Sequence, residues 1–240
     1  MDIHTHTCTE IRTFPLFCLL QISDPLFPIG GYTQSFGLET YVQKGIVHDA
    51  DTARRYLESY LSNNFLYNDL LAVRFAWQYA REGSLLSIRR LDSLLSALKS
   101  PREIRTASIK LGTRFSKIVA PVLAENELFN SFSELVGTGI CDGHYSVVYG
   151  LAAELFKIGL TEALAAVSYS TASSIINNCA KLVPISQRDG QDILFKSQEI
   201  LQRLVGKAET LEEDSLGISC CGFDLRAMQH ERLYTRLYIS

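Results

Sequence analysis

The chain has 240 residues, 47% of them apolar and 20% charged, close to the usage of globular domains and enough to fill one large core. A formal net charge of −3 excludes a general electrostatic pull toward nucleic acid, and no apolar run reaches the ~20 residues that a membrane-spanning helix needs. Six dispersed cysteines without Cys-x-x-Cys spacing fit a reducing compartment, the cytoplasm, better than a disulfide scaffold.

Residues 1–17 lack helical periodicity and read as a flexible leader. Asp2-Ile3-His4-Thr5-His6 resembles the metal-binding run of barrel hydrolases, but no βα repeat follows it. His4, His6 and Cys8 remain weak candidates for a borderline divalent ion. The apolar stretch Phe14 to Ile22 is too short for a membrane span and lacks the cleavage signal of a secretory peptide.

Residues 18–222 read as a helical core. Ser23-Asp24-Pro25-Leu26-Phe27-Pro28-Ile29-Gly30-Gly31-Tyr32 cannot continue a helix, since the run holds two prolines and two adjacent glycines, Gly30 and Gly31, that can take positive φ. Asp49 or Asp51 can cap a helix through Leu57, Tyr60, Leu61 and Phe65, and the stretch Ala50 to Lys99 reads as three helices broken near Asn68 and Gly83. Ser100-Pro101-Arg102-Glu103 carries the signature of a capping box, ahead of a stripe of Ile104, Ala107, Leu111, Phe115 and Ile118. Ser131-Phe132-Ser133-Glu134 and Thr210-Leu211-Glu212-Glu213 offer two more such boxes.

Gly137-Thr138-Gly139 and Cys141-Asp142-Gly143 mark a loop, after which Val148, Leu151, Ala152, Leu155 and Phe156 form another stripe. The serines at 168, 170, 173 and 174 sit at helical spacing, as small residues do where helices approach closely. Pro184 ends a helix with Lys181 in its last turn, favourable to the macrodipole, and Ser186 can cap the next. Residues 223–240 read as a partner-binding helix and tail in which Arg226, His230, Arg232 and Arg236 alternate with Leu233, Tyr234, Leu237 and Tyr238. No hairpin signal appears, so the reading is a single all-α domain of roughly ten packed helices.

Charge is uneven. From Arg81 to Lys117 there are nine Lys/Arg against three Asp/Glu, and from Glu125 to Glu162 six Asp/Glu against one Lys, an arrangement able to orient a protein partner. No nucleophile elbow, Cys/His pair or phosphate-cradling glycine loop is present, so any nucleotide must be bound by a partner and no enzymatic centre is expected.

Four motifs in order resemble the urease accessory protein family UreF. They are Phe27 to Tyr41 (FPIGGYTQSFGLETY), Tyr145 to Gly150 (YSVVYG), Lys181 to Gln187 (KLVPISQ) with Asp189-Gly190-Gln191, and Met228-Gln229-His230-Glu231 followed by Tyr234-Thr235-Arg236-Leu237-Tyr238. The resemblance spans about residues 18 to 240 and implies an all-helical, cytoplasmic, homodimeric scaffold. It implies binding to UreD/UreH, recruitment and regulation of the GTPase UreG, and nickel insertion into apo-urease. Nickel is then cargo, GTP belongs to UreG, and the chain itself holds no stable cofactor. An alternative is a metallochaperone that binds nickel directly.

The resemblance also implies partner-binding roles. Tyr32 matches a pocket tyrosine beside the turn of Pro28, Gly30 and Gly31. Glu39 and Lys181 match positions facing UreG. Arg236, with Gln229, His230, Tyr234 and Tyr238, matches the terminus that engages UreD/UreH. Lysine rather than arginine at position 181 favours gating over an arginine-finger role.

Overall fold

The cap signals at positions 49 and 186 act as the sequence suggests. Asp49 accepts the Thr52 N–H at 2.8 Å while Thr52 Oγ1 receives the Asp49 N–H, closing a box that starts α3, Ala50–Tyr60. Ser186 and Asp189 close the corresponding box on α10, Gln187–Thr210. The structure, a computed structural model, describes residues 13–31, 34–218 and 221–239.

Besides α3 and α10, the described residues form α1 (Thr13–Ile22), α2 (Leu38–Gln43), α4 (Leu71–Arg81), α5 (Leu85–Leu98), α6 (Arg102–Val119), α7 (Glu127–Gly137), α8 (Tyr145–Leu155), α9 (Leu160–Leu182) and α11 (Cys221–His230). No strand is found among them. The all-α expectation is met. Because α1 begins at Thr13, the expected leader boundary at residue 17 falls inside a helix.

Three local expectations are corrected. The chain does not break near Asn68: Leu61–Leu70 winds as a π-helix that joins α3 to α4 without interruption. The amides of Asn63 and Asn68 donate to the carbonyls of Ser59 and Asn64, each four residues back, giving the wider turns extra donors. Ser100 does not cap α6; Pro101 takes that position without a side-chain cap, and Glu103 is used elsewhere. The Ser131–Glu134 pattern lies inside α7, which Asn126 caps through the Phe129 N–H.

The core is centred on α8, where every residue from Ser146 to Ala153 is buried. Two glycines let it lie close to its neighbours. A Cβ on Gly150 would overlap the Val73 carbonyl of α4, and one on Gly112 of α6 would overlap the Gly143 carbonyl just before α8. Trp77 of α4 fixes the exit of α8 by donating to the Ile158 carbonyl at 2.9 Å. At the entry, the fully buried Asp92 of α5 accepts the N–H groups of Asp142, Gly143 and His144 at 2.6–3.1 Å. The long helices α9 and α10 pack side by side, turning at Pro184.

Helix α11 is part of this body. Phe223 seats its ring 5.8, 5.8 and 5.4 Å from those of Tyr41, Tyr56 and Tyr60, which belong to α2 and α3. The expected division at residue 222/223 therefore does not coincide with a break in packing.

Candidate partner-binding site

The first motif makes two tight turns. Gly30 takes φ 83°, and Arg114 of α6 crosses it to donate to the Ile29 carbonyl at 3.0 Å. Gly31 does not adopt positive φ, so only one of the two adjacent glycines uses that freedom. The second turn has left-handed Phe36, φ 51°, followed by Gly37, φ 86°. A Cβ on Gly37 would press on the Ala227 backbone at 3.2 Å, so this glycine sets the close approach of α11 to α2. Pro28 is exposed and Gly31 half-buried at the edge of a cavity of about 150 Å³. Tyr32, His4, His6 and Cys8 lie outside the described residues.

Glu39 is the main correction to the expected partner surface. It is 4% exposed, in the first turn of α2. Its carboxylate accepts the backbone N–H groups of Leu237 at 2.7 Å and Tyr238 at 3.2 Å, and faces His230 Nε2 at 3.1 Å. A carboxylate removed from water needs such donors, and they come from the last residues of the chain. His230 is fully buried, with Nδ1 2.7 Å from Glu103 Oε2. Arg236 Nη1 donates to the other oxygen of Glu103 at 2.8 Å. Glu103, read from the sequence as a capping residue, is therefore the α6 half of a clasp.

Beyond α11 the chain runs as an irregular strap. Gln43 donates to the Thr235 carbonyl at 2.8 Å, and Arg102 pairs with Glu231 at 2.9 Å. Tyr238 is buried, and its hydroxyl has no hydrogen-bond partner among the described residues. Burial pushes that phenol up to about 12, with the Glu39 charge adding to it. Gln229 is half-buried and accepts from Arg226. Glu39, His230 and Tyr238 thus hold the chain's own terminus rather than facing outward, whereas Tyr234 is fully exposed and Arg236 partly so. Sequence reading missed the clasp because Glu39 and His230 stand 191 positions apart.

Lys181 is exposed in the last turn of α9, next to the Pro184 corner and away from any ion pair among the described residues. A second set of polar groups sits deeper. His144 joins Ser108 at 3.0 Å through Nδ1 and Ser96 at 2.8 Å through Nε2, and Ser96 reaches on to Asp142. Burial, with Lys99 adding to it, pushes His144 down to about 4 and keeps it neutral. Burial alone would raise Asp69, but Lys99 at 2.9 Å and the Ser146 hydroxyl outweigh it, and its carboxyl lies below the ordinary value. No group of three or more His, Cys, Asp or Glu side chains suited to a metal ion occurs among the described residues.

The exposed features are side chains that suit contacts with other proteins, carried on a rigid helical body. The described residues define an all-α protein. The sequence model of the UreF family matches residues 47–198. The urease accessory protein UreF of Actinobacillus pleuropneumoniae serotype 3 (strain JL03) is 38% identical over 226 residues, covering 94% of this chain and 99% of that protein. The proteins of the same name from Haemophilus influenzae (strain PittGG) and Arthrobacter sp. (strain FB24) are 37% and 33% identical, covering 94% and 92% of this chain and 95% and 96% of their own lengths. The chain belongs to the UreF family of urease accessory proteins, and is by that membership an accessory to urease rather than an enzyme.

Proposed function

We propose that this chain is a scaffold for nickel insertion into apo-urease, one that binds UreD/UreH and recruits and regulates the GTPase UreG in the cytoplasm. The observation that carries the reading is the match to UreF proteins along nearly the whole chain. Nickel passes as cargo, GTP stays with UreG, and this chain holds no cofactor of its own. Lys181 at the α9–α10 corner is the contact offered to UreG, and Tyr234 with Arg236 on the strap the contact offered to UreD/UreH. Helix α1, with Phe14, Leu16, Phe17 and Leu20 each half or more exposed, supports pairing with a second copy. No described helix is long and apolar enough to cross a membrane.

Co-expression with UreD/UreH and UreG followed by size-exclusion chromatography tests this reading. A stable complex of all three is expected, with Lys181→Ala selectively losing UreG. Failure of both partners to co-elute with the wild-type chain overturns the scaffold. Nickel bound tightly by the isolated chain, and lost on removal of residues 1–17, replaces it with direct metal carriage by His4, His6 and Cys8.

A further inference from the structure

Both imidazole nitrogens of His230 face carboxylate oxygens, Nδ1 on Glu103 at 2.7 Å and Nε2 on Glu39 at 3.1 Å. Carboxylates only accept, and neutral imidazole has one N–H to give. Two hydrogen bonds therefore need the imidazolium. Charge counting agrees: Glu39 and Glu103 are balanced by His230 and Arg236 only when His230 carries its second proton. The neighbouring Arg102–Glu231 pair is balanced in itself, and the Tyr238 phenol, beside Glu39, stays neutral. An unbalanced carboxylate at this depth is costly.

The same Glu39 oxygens hold the strap through the N–H groups of Leu237 and Tyr238. We infer that His230 is a proton-operated latch: when doubly protonated it pins Glu39 and keeps the terminal strap closed, and losing that proton releases the strap from α2. Neutral His230 keeps its proton on Glu103, the shorter contact, and turns a lone pair toward Glu39. Glu39 then has to move toward water and away from the Leu237 and Tyr238 N–H groups, which frees the strap. The buried, unpartnered hydroxyl of Tyr238 makes the closed strap easier to give up. The sign follows by mass action, since the closed form holds one proton more than the open form, so acid favours closure and alkali favours opening. This inference rests on the clasp alone and holds whether or not the scaffold reading does.

The test uses the full chain labelled with ¹⁵N. Imidazole nitrogen shifts report how many ring nitrogens of His230 carry protons, and carboxypeptidase release of the terminal residues reports strap opening. Expected is a doubly protonated ring while the strap is closed, with the open fraction rising up to about tenfold per pH unit across the loss of that proton. In His230→Gln, whose side chain keeps one donor and one acceptor at every pH, that rise disappears. A singly protonated ring in the closed strap overturns the latch, as does a pH profile of release left unchanged by His230→Gln. If His230→Gln fails to fold, the nitrogen shifts of the wild-type chain decide alone.

Discussion

The two buried histidines among the described residues, His144 and His230, stand among different partners. His144 accepts its place among Ser96, Ser108 and Asp92 as a neutral ring, pushed to about 4 from an ordinary value of 6.5 by burial and by Lys99. Between those two values the unfolded chain takes up a proton that the native chain refuses. The contribution is therefore complete above about 6.5 and is lost as pH falls toward about 4, amounting to up to about 3 kcal/mol. Urea midpoints measured across that window are expected to fall on acidification, and His144→Gln is expected to flatten the fall. Residue-scale reading of the sequence succeeded where a group and its partner lie within one turn, as in Asp49 with Thr52 and Ser186 with Asp189. It failed for Glu103, whose local pattern named a cap while its partners, His230 and Arg236, stand more than a hundred positions away. Local pattern reports only local partners.

At the scale of elements, apolar periodicity located most of the helices, because a buried stripe has to repeat every three or four residues. It did not reveal the π-helical winding of Leu61–Leu70, since ordinary helical spacing and Asn-rich composition say break or continue without saying how. Nor did it show why the Tyr145–Gly150 motif ends in glycine. Gly150 is where α8 meets α4, with no room for a methyl group against the Val73 carbonyl. Gly150→Ala is expected to destabilise the fold by about 1–3 kcal/mol or more through overpacking, although alanine is the better helix former. Thermal unfolding with unchanged helical signal before the transition would measure this. An unaltered or raised midpoint would mean that the two helices separate at little cost. Gly206, also helical but with open space around it, is the control, and there alanine is expected to be neutral or mildly stabilising.

For the molecule as a whole, the all-α class and the family were legible from order and spacing of four motifs, while the outward face was not. Several motif residues expected to meet partners are turned inward, because buried carboxylates have to find donors within the chain. This changes how partner binding is to be probed. Removing the last ~15 residues strips Glu39 of two donors and takes His230 and Arg236 away from Glu103. Such a truncation is expected to lower the unfolding temperature and not only to abolish capture by UreD/UreH. Tyr234→Ala, at a fully exposed side chain, is expected to leave the unfolding temperature unchanged while weakening that capture. Unaltered capture would move the contact off the strap. The long span of the clasp also bears on synthesis. The Glu39 carboxylate waits for backbone donors that lie 198 and 199 positions further along the chain, so the segment around α2 completes its packing only after Tyr238 has been synthesised.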